Sequence, residues 1–551
     1  MPLRLSTNHT PILTRRHFLL GSSGAWLAAD LASRAAETTA APRRADVCVY
    51  GGNASGVMAA VAAAREGCRV IIIEPSRWLG GMTGGGLMHI DWGRPEAVGG
   101  TTRKILDDKN NDKAYRQIFA DLVTTHGITV IFEHRLAAVT RLGRIVTGLT
   151  LDFAPPDRFG CPRPHAQTAA ALLVEAQMFI DCSYEGDLMA RAGVTYTYGR
   201  ESAEQYGESL GGVPPNMAVY PIDPYIVPGN PQSGLLPLLQ AGPMAPLGSA
   251  DKLTMGYGFR WKFTVGPEQL PIDPPADYDP RTFELYRRAF RQKIDTSGRR
   301  TRALGVVAPE RGHVHILGSG NLARSLVAPT VFGSNAGYPD GDWPTRARIW
   351  KFHQDFMRGM THFLKTDPDA PADLKDKALK VGFQIGSFDE TGGWPHQMYI
   401  REARRLVAAT VVTQKDLAGK VAPSDSVGLA SYGVDDWPYA MFALQGQVAL
   451  NGGEFSMLYL DEAHQGIYAI PYPAITPRIT ECENLLVPVC CSASHIAMTS
   501  IRMEPVWMIL GESAGVAAAL AIQQHVPIQK VPYAHLRSKL IGLNQRLDRP
   551  S

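Results

Sequence analysis

The sequence predicts an α/β chain: a Rossmann-like domain with a parallel central sheet, interrupted by an inserted α+β domain. Three observations carry this. Residues 45–74 read as strand, glycine-rich loop, small-residue helix and second strand. Two more buried strands, 177–181 and 484–489, lie far apart in the chain. The stretch between them, from about 200 to 470, is less regular and contains Pro-rich loops. The domain plan is a leader over 1–35, a first part of the Rossmann-like domain over 36–200, the inserted domain over 201–470, and a closing part with the C-terminal tail over 471–551.

The leader is read from Thr14-Arg15-Arg16-His17-Phe18-Leu19-Leu20. An apolar run continues to about Leu31, and Ser33-Arg34-Ala35 offers a cleavage site. An arginine pair before such a run is the pattern of a twin-arginine export signal, read by the twin-arginine machinery, so a periplasmic or secreted location is expected. The run is near 15 residues, short of the ~20 that span a membrane, and no later stretch is read as an integral membrane segment. Without residues 1–35 the chain carries 51 basic and 51 acidic side chains.

The 551 residues are 45% hydrophobic and 19% charged, a globular composition with ample length for a core. A net charge of +3 excludes a nucleic-acid binder working through bulk charge. The seven cysteines form neither a CxxC nor a Cys/His metal spacing, so no metal is expected. Cys48 and Cys68 fall on core elements, and the vicinal pair Cys490–Cys491 reads as packing.

Residues 45–50 are an apolar run, a buried strand. The loop Gly51-Gly52-Asn53-Ala54-Ser55-Gly56 follows, then a helix over 57–67 ended by Gly67. Residues 68–74 are a second buried strand closing on Glu74. An acid about 20 residues past such a loop accepts hydrogen bonds from ribose hydroxyls, and the helix start favours a pyrophosphate. The second glycine of this fingerprint is replaced by Asn53, whose side chain must point away from the pyrophosphate or hydrogen-bond to it. Pro75 and Ser76 lead on to Gly80-Gly81-Met82-Thr83-Gly84-Gly85-Gly86. That segment resembles the paired glycines that follow the ribose acid in many flavoproteins, where only glycine lets the backbone run so close to the cofactor. FAD is therefore expected.

Residues 50–57 and 79–87 resemble the bacterial FAD-dependent oxidoreductase family of exported, xanthan-lyase-associated flavoproteins. Residues 179–188, 199–202, 399–405 and 492–515 are similar to it as well. The resemblance spans about 45–525 and implies FAD, a glutathione-reductase-like fold and oxidoreductase activity, but no substrate. On that plan residues 128–133 are the next strand, and the chain near Leu136 touches adenine through its backbone. Residues 136–139, 144–147 and 149–153 read as a small antiparallel meander. Asp181 and the Gly186-Asp187 pair resemble a second flavin-binding motif; Asp187 as a cap for the helix from Leu188 is the other reading. Tyr257, Phe259, Trp261 and Phe263 alternate as on a strand, and residues 345–360 and 395–414 read as helices. A helix from Pro505 to about Gln523 would aim its N-terminal region at the flavin pyrimidine ring, with Glu512, Ala514 and Gly515 as contacts.

His495, a few residues past the last central strand, suits a general base by its ordinary pKa of ~6.5, and equally suits a structural hydrogen-bonded role. Arg502 suits an anion binder or proton donor, as arginines serve in fumarate-reductase-type flavoenzymes. His89 and Asp91 follow the glycine loop. Arg401, Arg404 and Arg405 fall on the expected 395–414 helix, where 401 and 405 share a face that solvent alone would also explain. His396 and His464 are weaker candidates. The expected reaction is hydride transfer from a small polar molecule to flavin. A sugar or polyol alcohol is the expected donor, because family members associate with polysaccharide breakdown. Oxygen, a quinone or a cytochrome would be the electron acceptor. A fumarate-reductase-like alkene reductase, and a flavin-bearing electron carrier or binding protein, are the alternatives.

Overall fold

The computed structural model describes residues 41–550, apart from 88, 107–109, 216, 295–313, 316–325, 328–329 and 454–456. The twin-arginine leader expected over 1–35 lies outside the described residues. Strand β1 (Arg43–Tyr50) and strand β2 (Val70–Glu74) are apolar on both faces where they are buried, as strands covered by helices must be. They run parallel, from Val47 opposite Val70 to Tyr50 opposite Ile73. Helix α1 (Ala54–Arg65) connects them and is buried over its first ten residues. Strand β3 (Thr129–Phe132) flanks β2. Strand β6 (Thr168–Asp181) flanks β1 on the other side, and the short last strand β7 (Leu485–Leu486) pairs with β6. The parallel order is therefore β3-β2-β1-β6-β7.

Strands β4 (His134–Leu142) and β5 (Ile145–Phe153) form a hairpin that adds antiparallel to the first half of β6. The expected meander is thus continuous with the central sheet. Short antiparallel sheets from residues 217–451 form much of the remainder. Tyr257, Phe259, Trp261 and Phe263 are all buried, although only Lys262–Val265 is regular strand.

The expected helix over 345–360 is present as Trp343–Thr366, capped by Asp342. The one expected over 395–414 is not. Backbone amides there donate to four separate segments: Gln397 to Gly85, Tyr399 to Gly258, Leu406 to Cys490 and Val407 to Thr195. Those bonds replace the i→i−4 ladder, so Arg401, Arg404 and Arg405 share no helical face and each is buried among its own partners. The closing helix spans Glu504–Gln524. By length and apolar composition it could cross a membrane, which corrects the expectation that no late stretch approaches a span. Yet 94% of its most apolar window is buried inside the protein. It packs on α1 with glycines at the contact: a Cβ at Gly511 or Gly515 would overlap the backbone of Ser55 or Ala59. All seven cysteines are free; Cys48, Cys490 and Cys491 are buried, as core packing requires, and Cys68 is half-buried.

Candidate functional site

A cleft opens at the carboxyl ends of β1 and β2, where open parallel sheets bind ligands. Gly51, Asn53, Glu74, Pro75, Ser76 and Gly81 line one wall. Gly51 has φ +99°, and a side chain there would strike the Cys182 backbone. A Cβ at Gly56 would overlap the Gly51 carbonyl oxygen, so the first and third fingerprint glycines are needed to close strand on helix. Asn53 has negative φ and extended ψ and needs no glycine. It is the N-cap of α1: its Oδ1 accepts from Gly56 N–H at 2.9 Å, and its Nδ2 donates to the Cys182 carbonyl. Both polar atoms of that side chain are thus engaged by protein.

Glu74 ends β2. One carboxylate oxygen accepts from Gly52 N–H at 2.6 Å and the other from Ser76 N–H at 2.7 Å. Burial pushes this carboxyl up, against the pull of those hydrogen bonds. Each oxygen keeps a lone pair for a hydroxyl donor. Beside it, the start of α1 presents amides that lack intrahelical partners, together with the positive end of the helix dipole. This donor and acceptor set fits the ribose and pyrophosphate of a dinucleotide.

Helix α2 (Gly81–Gly85) continues that wall. Gly80, with φ +97°, lies against Phe119, and Gly81 lies where a Cβ would overlap Tyr184 and Asn53. Met82 N–H donates to the Tyr184 hydroxyl at 2.8 Å. The Tyr184 and Thr83 hydroxyls donate to the two oxygens of Glu504, at 2.8 and 2.6 Å. Burial pushes the Glu504 carboxyl up to about 7, although both hydroxyls pull it down. The start of the closing helix is thereby tied to α2.

The opposite wall includes Arg135, Glu185, Asp187, Tyr338 and Trp343. Asp187 accepts from both Nη atoms of Arg346, at 2.6 and 2.8 Å, and from Arg404 at 2.9 Å. Burial pushes its carboxyl up, but the two guanidiniums outweigh this and hold it well below the usual range. Glu185 accepts from the Tyr338 hydroxyl at 3.0 Å, and burial pushes it up to about 7. Gln397 and His396 also line the cleft. The His396 ring stacks on Trp78 at 3.8 Å, and burial holds it neutral, near 2.

Several predicted site residues lie elsewhere. The Leu136 N–H donates to the Tyr50 hydroxyl at 3.1 Å, and its neighbour Arg135 faces the cleft instead. Asp181 is fully buried behind the wall, accepting from Ser183 and from Met189 N–H; burial pushes it up to about 6. Gly186 supplies a left-handed turn that caps the helix Asp187–Arg191. Ala54 and Ser55 sit in the first turn of α1. Glu512 accepts from Thr101 N–H and from Gln545, while Ala514 and Gly515 lie two to three turns into the helix, in its buried core face. They are too far from the helix start to face the cleft.

The catalytic candidates are also redistributed. His495 is buried, with both ring nitrogens engaged: Nδ1 with Glu402 at 2.9 Å and Nε2 with the Tyr439 hydroxyl at 2.7 Å. Its N–H donates to Glu201 at 2.8 Å, and Arg405 pairs with both Glu201 and Glu402. This network fills its hydrogen-bonding capacity, so the structural role fits and the base role does not. The His89 side chain is 72% exposed, 3.9 Å from Asp91, and only its backbone carbonyl turns inward. His464 pairs with Asp461 near the surface. Arg502 is buried and donates to the Tyr399 hydroxyl at 2.9 Å and to the Asp435 carboxylate at 2.8 Å.

Residues 46–540 match the family model described as FAD dependent oxidoreductase. The chain belongs to the FAD-dependent oxidoreductase family. FAD is accordingly its cofactor, and the donors and acceptors of Glu74, the α1 start and α2 fit that dinucleotide. None of the curated proteins compared with the chain matches it significantly. Among solved structures, a geranylgeranyl bacteriochlorophyll reductase-like protein of Thermoplasma acidophilum is similar at 20% identity. That match covers 28% of this chain and 43% of the other, with a TM-score of 0.19. THI4 of Thermovibrio ammonificans matches at 19% identity over 32% of this chain and 72% of that one, TM-score 0.22. The thioredoxin reductase of T. acidophilum matches at 17% identity over 29% and 40%, TM-score 0.18.

Sequence reasoning missed Tyr184, Glu185 and Arg135, although each adjoins or sits inside a segment it had singled out. Tyr338 and Trp343 carried no signal, because only the fold brings them to residues more than a hundred positions away.

Proposed function

We propose that this FAD-dependent oxidoreductase is exported by its twin-arginine leader and oxidises a hydroxyl on a small polar donor of the sugar or polyol kind. Oxygen, a quinone or a cytochrome then takes the electrons. The observation that carries the reading is where α2 leads. The Leu87 and His89 carbonyls just beyond it accept from Arg260, which belongs to a buried polar cluster with Tyr399, Arg401, Arg502 and Asp435. When bound, FAD supplies the hydride acceptor. The chain supplies orientation and proton handling. Asp435 is the carboxylate available to take the hydroxyl proton. Burial pushes it up and Arg502 opposes this, and its side chain stays 14% exposed, which gives the proton a way out.

The test is anaerobic mixing of the flavin-loaded enzyme with a panel of sugars, polyols and sugar acids, following bleaching of the flavin. Reduction by at least one hydroxyl donor is expected. Reoxidation of the pre-reduced enzyme by fumarate, with no reduction by any alcohol, would move the reading to an alkene reductase. For export, Arg15→Lys with Arg16→Lys should trap unprocessed precursor in the cytoplasm; normal processing would remove that part of the reading.

A further inference from the structure

Three arginines meet at one tyrosine. The Arg401 guanidinium lies 4.3 Å from the Tyr399 ring centroid and 3.7 Å from that of Trp437, and the Arg260 guanidinium lies 4.7 Å from the Tyr399 ring. Arg502 donates to the Tyr399 hydroxyl at 2.9 Å. Arg260, Arg401 and Arg502 are 8%, 1% and 3% exposed. Of the three, Arg502 alone pairs with a carboxylate among the described residues, that of Asp435. Among the described residues no acidic group pairs with Arg260 or Arg401, whose hydrogen bonds go to the carbonyls of Leu87, His89 and Gly256. The Nε of each of the three is buried and has no hydrogen-bond partner among the described residues.

Carbonyls and aromatic faces offset part of the cost of burying a cation, but they leave net positive charge. Four other buried arginines have carboxylate partners: Arg346 and Arg404 share Asp187, Arg405 has Glu201 and Glu402, and Arg200 has Asp251; Arg135, in the FAD cleft, stands singly on the carbonyls of Arg163 and Pro164. What sets this cluster apart is that three buried arginines converge on Tyr399 with one paired carboxylate among them. Arginine's planar fork of donors matches a carboxylate, and an anion here would satisfy both the free donors and the charge. The cluster is also joined to the FAD wall at two points: Arg260 donates to Leu87 O at 2.9 Å, and Gln397, which lines the cleft two residues before Tyr399, donates through its N–H to Gly85 O at 3.0 Å.

We infer that Arg260, Arg401 and Arg502 bind the carboxylate of the substrate, so that the donor is a hydroxy acid, such as a sugar acid, and not a neutral sugar. This rests on the oxidoreductase reading above and narrows its substrate class. The neutral aromatic and carbonyl lining holds the arginines in place, and the anion fixes the donor through paired N–H···O bonds so that its hydroxyl points toward the flavin side of the cluster.

The test titrates the FAD-loaded enzyme with gluconate and lactate, and with glucose and glycerol as neutral controls, at constant ionic strength, following the absorbance of oxidised flavin. A saturable spectral change with the carboxylates and none with the neutral compounds is expected. Arg401→Met and Arg260→Met should each weaken carboxylate binding by about tenfold or more with flavin content unchanged. Arg401→Lys, which keeps the charge, should weaken it less and serves if the Met variants fold poorly. No saturable carboxylate response in the flavin-loaded wild type would overturn the inference. So would unchanged carboxylate affinity in the Arg260 and Arg401 variants at full FAD occupancy, or loss of FAD from Arg401→Lys as well as from the Met variants, which would make the arginines flavin ligands. Saturable carboxylate binding without flavin reduction by any hydroxy acid would support the site while sinking the proposed reaction.

Discussion

Replacing Glu74 by Gln probes the FAD wall with little change of shape. The native carboxylate accepts from Gly52 N–H at 2.6 Å and Ser76 N–H at 2.7 Å, one on each oxygen. A glutamine keeps one acceptor and places an NH₂ where the other oxygen stood. Whichever way the amide is turned, that NH₂ faces the Gly52 or the Ser76 N–H, donor against donor. One charged hydrogen bond within the protein is lost, and one lone pair that would meet a ribose hydroxyl. A charge-assisted hydrogen bond contributes about 1.5–3 kcal/mol, so the ribose bond alone is worth roughly 10- to 150-fold in FAD affinity. The internal bond should lower the stability of the flavin-free protein by a similar energy. FAD titration into stripped protein, read by flavin fluorescence, gives the first quantity, and denaturant unfolding the second. An FAD dissociation constant within twofold of wild type would refute the assignment of Glu74 to the adenosine ribose.

His495→Ala should remove the hydrogen bond of the buried Tyr439 hydroxyl and cost about 1–3 kcal/mol for it, with Glu402 still held by Arg405 and Met255 N–H, while turnover per bound FAD stays within about twofold. A hundredfold slower flavin reduction at full FAD occupancy would restore His495 as a base. Glu504 is pushed up from an ordinary 4.5 to about 7, so the folded state holds its proton more tightly than the unfolded chain. Its contribution is fully present below about pH 4.5 and is lost as pH rises through about 7. At ~1.4 kcal/mol per unit this is about 3 kcal/mol in flavin-free protein, and Glu504→Gln should flatten that part of the stability profile. An unchanged profile would contradict it. Gly515→Val would drive a side chain into the Ala59 backbone; a melting temperature equal to wild type would mean that the two helices are not in close contact.

The Rossmann core was legible because local patterns determine it. The buried strand runs, the small-residue helix and Glu74 all act within about thirty residues of one another. The fate of Asn53 was half legible: the alternatives were foreseen, and the capping bonds to Gly56 and Cys182 decide between them. The 395–414 segment was misread because its residues suit a helix, whereas its amides are claimed by four distant segments. Arg401 and Arg405 at i, i+4 therefore looked like one exposed face. His495 was placed near the flavin by its position after the last strand, but Glu201, Glu402 and Tyr439, which engage it, come from other parts of the chain. Pairings of that range leave no mark in a single sequence. Of the flavoprotein-like pattern at Glu512, Ala514 and Gly515, the glycine has its physical reason in helix packing and Glu512 in its bonds to Thr101 and Gln545.

Whether the cleft of Glu74, Gly51 and α2 holds FAD is tested most directly by the flavin content of the purified full chain. A yellow protein that releases one FAD per chain on denaturation and shows no binding of NAD is expected. A folded, colourless protein that takes up no FAD, or one that binds NADH in its place, would contradict it.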